Sequence, residues 1–121
     1  MGAAEVSALV RKLHAKRERW LQVAPGLELL VRRPAEVELA KLRQGIEFED
    51  AAAAITGWRG FTEAVLLGDP ALGDSETALP FSADLCAEWL RDNVAAVNAV
   101  VDDMAQRVRE HIEARVAARG N

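Results

Sequence analysis

The sequence predicts a compact, mainly α domain of about five helices with a short β-hairpin near its N-terminus. Three observations predict it. Val94, Val97, Val101, Met104, Val108 and Ile112 are 3, 4, 3, 4 and 4 residues apart, the spacing of one helix face. Trp20–Val23 and Leu27–Val31 flank Pro25-Gly26, where Pro presets its own φ and Gly accepts a positive one, as a turn requires. Turn formers crowd the stretch from Gly57 to Pro80, marking one long connection. The 121 residues suit one domain, and an apolar half with only 5% aromatics points to an aliphatic core.

Val6, Leu9, Val10 and Leu13 give a first helix over about Glu5 to Arg17, with Arg11, Lys12, Lys16 and Arg17 on its other face. The hairpin follows over about 20–33, closed by Arg32-Arg33; the alternative is a continuation of the first helix broken at Pro25. An isolated hairpin is marginal in water, so this one has to pack on helices or pair with another chain. Pro34 suits a helix first turn, Gly45 and Gly57 are stops, and Ala51–Ile55 favour helix. Residues 34–44 and 47–56 therefore read as two helices, or as one interrupted at Gly45. Residues 62–79 are expected to form a mobile loop pinned to the core by Trp58, Phe61 and Phe81.

Ser82 is a suitable N-cap for the next helix, with Asp84 favouring its dipole and Leu85, Cys86, Trp89 and Leu90 on one face. Asp92-Asn93 marks a kink or turn before the last helix, which Gly120 ends. Asp103 with Arg107 and Arg109 with Glu113 are opposite charges at i,i+4, each pair worth about 0.2–0.5 kcal/mol on a helix surface.

The net charge of −4 conceals an asymmetry. Residues 11–43 carry nine Lys/Arg against four Asp/Glu, and residues 44–104 two Arg against twelve Asp/Glu. A chain polarised in this way can pair head to tail with its own copies or offer an acidic face to a basic partner. The plainer reading is a solvated surface of uneven sign. The single cysteine, Cys86, cannot form an intramolecular disulfide. The N-terminus lacks a signal-peptide layout, and no apolar stretch is long enough for a bilayer, so a cytoplasmic location without membrane contact is expected.

The residue types that do chemistry are not grouped. His14 and His111 lack Cys or Asp partners at metal spacing and read as surface histidines. Cys86 shares its face with Leu85, Trp89 and Leu90 and reads as a core thiol. The acidic residues Glu47, Glu49 and Asp50 lack the spacing of a calcium loop, and no phosphate-binding glycine motif occurs. No catalytic residue, cofactor or metal is expected, and the chain reads as a non-enzyme. A small DNA-associated regulator is the alternative, resting on Arg11, Lys12, Lys16, Arg17 and Arg19 with Arg32-Arg33. The acidic balance and the lack of an aromatic stacking platform beside those cations weigh against nucleic acid.

One pattern is more particular. Ile55-Thr56-Gly57-Trp58-Arg59-Gly60-Phe61, a loop, and Leu79-Pro80-Phe81-Ser82 precede an amphipathic helix carrying Trp89-Leu90 and Asp92. Over roughly residues 20–100 this resembles the small tail assembly chaperones of long-tailed phages and related prophages, in which a GW.G element follows an Ala-rich helix and LPFS opens the next. The sequence departs from that family in its first helix, in its Ala- and Arg-rich C-terminus, and in Phe61-Thr62-Glu63-Ala64 after the glycine turn. The resemblance implies binding to the tape-measure protein, and to the tail-tube protein, in the cytoplasm of a bacterial host, with self-association. Such binding needs exposed apolar surface. The candidate residues are Leu27, Leu29 and Val31 of the hairpin, Trp58 and Phe61 of the glycine turn, and Val97, Val101, Met104 and Val108 of the last helix.

Overall fold

In a computed structural model that describes residues 1–42 and 45–120, six α-helices accompany one three-stranded antiparallel sheet. Helix α1 covers Ala3–Lys16. Strands β1 (Glu18–Ala24) and β2 (Leu27–Arg32) form the hairpin, within two residues of its expected bounds. Gly26 takes φ +74°, and the register slips between Gln22 and Ala24. The slip has a cause: a Pro-Gly turn twists against the natural twist of two paired strands, and a bulge at Val23 absorbs the mismatch.

The segment after Pro34 is less helical than its pattern suggests. It makes one turn, α2 (Glu36–Leu39), then a 3-10 turn, Ala40–Leu42, and the Gly45 N–H donates to the Leu42 carbonyl at 3.0 Å. The expected extension to residue 44 lies outside the described residues. Helix α3 (Phe48–Ala54) opens on a reciprocal cap, in which the Glu47 side chain accepts from the backbone of Asp50 while Asp50 Oδ2 accepts from the Glu47 N–H at 2.9 Å.

One expectation fails just beyond α3. Residues 55–59 are not the end of a helix and the start of a loop but a third strand, β3 (Ile55–Arg59), antiparallel to β2. The preceding alanines continue a helix-like composition, yet Ile55, Thr56 and Trp58 are β-formers that gain a partner strand. Residues 62–79, expected as loop, are irregular over 68–79 but begin with the short helix α4 (Glu63–Leu67), capped by Thr62 and ended by Gly68 at φ +71°. The Ala64 N–H donates to the Asp74 carbonyl and the Leu79 N–H to the Phe61 carbonyl, both at 2.9 Å.

Helix α5 (Ala83–Arg91) starts at Ser82, whose Oγ accepts from the Leu85 N–H at 3.3 Å. It breaks at Asp92-Asn93, where Asn93 Nδ2 donates to the Trp89 carbonyl. Helix α6 (Val94–Arg119) follows. The core lies between one face of the sheet and α3, α5 and α6, with Phe61, Leu29, Leu90, Met104, Val31 and Val100 fully buried. Each such side chain contributes about 1.5–3 kcal/mol when taken from water. Leu21, Leu29 and Trp58 are in register across the three strands, and Trp20, Leu30 and Gly57 on the opposite face.

Candidate interaction surface

The glycine-turn and LPFS residues converge on one aromatic cluster. Trp58 stacks on Phe61 with centroids 4.6 Å apart, Phe81 meets Trp58 edge-on at 5.4 Å, and Trp89 meets Phe61 edge-on at 4.9 Å. The Trp58 indole N–H donates to the Leu79 carbonyl at 2.8 Å. The two glycines have different tasks. Gly57 leaves room on the outer sheet face beside Leu30 and Trp20, while Arg59 lies 3.6 Å over the Trp20 ring. Gly60 has φ +83°, and a Cβ there would stand 2.0 Å from the Gly26 carbonyl oxygen. Two backbones therefore meet where the hairpin turn touches the end of β3.

Helix α6 presents its core with a different face from the one its valines mark. Ala96, Val100, Asp103, Met104 and Arg107 are buried, whereas Val94 and Ile112 are exposed. The Asp103–Arg107 pair, expected on the surface, is inside. Asp103 Oδ1 accepts from Arg19 at 2.5 Å, and Oδ2 faces Arg107 at 3.5 Å. Arg107 also donates to the Val31 carbonyl at 2.7 Å and to the Arg17 carbonyl. Burial lowers the Arg107 pKa, Asp103 draws it back up, and Arg19 opposes that. The arrangement fixes α6 to both strands of the hairpin.

This packing decides which expected binding residues can meet a partner. Leu29, Val31, Trp58, Phe61 and Met104 are buried, so as contact residues of the folded chain they are corrected: they build the core. Leu27, Val97 and Val101 are half-buried against that core, and Val108 is half-buried farther along α6.

The apolar surface lies elsewhere. No residue of α1 is buried, and Val6, Leu9, Val10 and Leu13 remain 43–54% exposed. Val37 on α2 and Ile112 and Val116 on α6 are also exposed. The 3–4 spacing in α1 was legible, but a core face and an uncovered face have the same spacing. Where the end of α1, the link after β2 and α6 converge, a groove of about 450 Å³ is lined by Leu13 and Val37 together with Lys16, Arg17, Arg33 and Arg115. Its one acid, Glu36, is engaged: His111 Nε2 lies 2.7 Å from its Oε1, and Arg115 donates to the same oxygen. Those two contacts, His111 first, hold the Glu36 pKa below the usual carboxylate value. Arg33 is shifted down by burial and then by repulsion from Arg17 and Arg107. His111 is thus half-buried and partnered rather than a plain surface histidine.

Among the described residues no group of three or more His, Cys, Asp and Glu is placed to hold a metal ion. Cys86 is buried, and burial pushes its thiol up to about 11, so it is protonated at neutral pH. Among the described residues no helix is long and apolar enough to cross a membrane. Compared with known protein families, curated proteins and solved structures, the chain matches none.

Proposed function

We propose that this chain is a non-enzymatic assembly chaperone of the phage or prophage tail type, which binds the tape-measure protein, and the tail-tube protein, before the tail is built. The observation that carries the reading is the uncovered stripe Val6, Leu9, Val10 and Leu13 on a helix with no buried residue. An amphipathic helix that leaves its apolar stripe in water gains by laying it against a second protein. The resemblance of the glycine-turn and LPFS segments supports the family, and the aromatic cluster gives those segments a scaffold role. The bacterial cytoplasm is where such a chaperone works, and self-association through the same stripe is part of the proposal.

Co-expression with a tape-measure-type coiled-coil protein tests it. The soluble yield of that protein rises with the parent chain and stays at its unaided level with Leu9→Asp. Equal yield with and without the parent chain rejects the chaperone role. The second reading, a DNA-associated regulator, rests on the cations of α1 and the groove, and a salt-dependent shift of duplex DNA at low ionic strength would favour it.

A further inference from the structure

We infer that the basic groove between α1, the link after β2 and α6 is a docking site for an acidic amphipathic helix of the partner protein. The inference rests on the protein-binding reading and names the chemistry of what is bound. The apolar part of the site is Leu13, 54% exposed, and Val37, 82% exposed, continuous along α1 with the Leu9 and Val10 stripe. The charged part is Lys16, Arg17 and Arg33. Among the described residues none of these three is in an ion pair, while Glu36, the one acid of the groove, serves His111 and Arg115. Positive charge is therefore gathered beside uncovered aliphatic surface, and Arg33, which donates to the Pro34 carbonyl at 2.8 Å, is repelled by Arg17 and Arg107 with Glu36 a smaller opposing attraction. A carboxylate brought to that place relieves the repulsion, and it does so best on a segment whose other side is apolar.

The site fits a helix better than a nucleic acid. A phosphate backbone would satisfy the cations but leave Leu13 and Val37 in water, and no Trp, Tyr or Phe lines the groove for bases to stack on, while the His111 ring is engaged with Glu36. A helix with leucines at i, i+3, i+4 and i+7 and glutamates on its flanks meets both halves of the site. The charge of the groove also speeds encounter with an acidic segment, although the chain as a whole is net acidic.

The probe is a fluorescently labelled peptide with that leucine spacing and glutamates elsewhere, followed by anisotropy against the full chain. A scrambled peptide of the same composition, a lysine-for-glutamate peptide and duplex DNA are the comparisons. The patterned acidic peptide binds, and Lys16→Glu and Leu13→Ser each weaken it by at least about tenfold. Leu72→Ser, at an exposed position outside the groove, leaves it unchanged. Both groove positions are exposed, so the variants keep the parent far-UV circular dichroism. Equal binding of the scrambled peptide, equal binding by the groove variants, displacement by duplex DNA, or no binding of the patterned peptide overturns the inference. The chaperone reading fails separately. If Lys16→Glu still solubilises the coiled-coil partner as the parent does, that reading stands and the groove falls. If neither chain solubilises it, the reading falls and the peptide titration still decides the groove.

Discussion

Replacing Asp103 by Ala removes the only carboxylate in contact with Arg107 among the described residues and also unties Arg19. The Asp103 side chain is 5% exposed and that of Arg107 9%. What remains is a buried guanidinium held by two carbonyls, those of Val31 and Arg17, with no carboxylate in contact and only the weaker attraction of Glu110. Stranding one member of a buried pair costs about 3–5 kcal/mol, a large part of the stability of an ordinary domain. For a chain of 121 residues the unfolding entropy is about 0.25 kcal/mol/K, so Tm falls by about 12–20 °C. Arg19→Ala gives the contrast: its side chain is 46% exposed, water replaces much of what is lost, and the cost is at most about 1 kcal/mol. Replacing both buried partners by apolar residues, Asp103→Leu with Arg107→Met, recovers most of the loss because no charge is left stranded. Urea titrations followed by tryptophan fluorescence measure all three. If Asp103→Ala costs no more than Arg19→Ala, the buried charges do not hold α6 to the hairpin and the reasoning is refuted.

Three further outcomes are expected. Gly60→Ala costs at least about 2 kcal/mol, because the new Cβ meets the Gly26 carbonyl and φ is positive; Gly26→Ala, equally positive in φ but with open space around it, costs less, and equal values in thermal melts would remove the close approach from the account. Cys86 resists thiol reagents at pH 8 in the folded protein and reacts at the rate of unfolding in urea; its raised pKa contributes stability below the ordinary thiol value of 9.0 and loses it as pH climbs towards about 11. Fast labelling of the native protein would contradict its burial. The Glu36 contact with His111 and Arg115 has the opposite sign: its lowered pKa means that the link is present above the usual carboxylate value and is lost as pH falls through the folded-state value. Carboxyl NMR titration of Glu36 should show the low midpoint, and a midpoint at the ordinary value would mean that the link does not form in solution.

How much of this could be read from residues alone varies along the chain. The hairpin was legible because Pro25-Gly26 has a local meaning that no distant contact overrides. The Ser82 cap and the Asp92-Asn93 break were legible for the same reason. Strand β3 was not, because its pairing with β2 is set by contact across the sheet while the alanines before it favour helix. In α6 the valine stripe gave the helix but not its inward face. Two charged residues, Asp103 and Arg107, are buried there because they satisfy each other and the hairpin carbonyls, which a hydrophobic pattern cannot anticipate. Burial separates the candidate binding residues by the same logic. Leu29, Val31 and Met104 are core, while the α1 stripe, legible only as one face of a helix, is left uncovered. Periodicity reports that a face is apolar, and only the tertiary arrangement says what covers it.

We propose α1 and the groove at its end as the surface with which this scaffold binds another protein. Amide hydrogen exchange on the free chain and on its complex with the co-expressed coiled-coil partner tests it most directly. In the free chain residues 3–16, a helix with no buried side chain, exchange quickly. In the complex the account predicts strong protection across residues 3–17 and 33–37, with the exchange of α4 and α5 unchanged. Unchanged exchange over α1, with protection appearing on the acidic α4–α5 side instead, would contradict it.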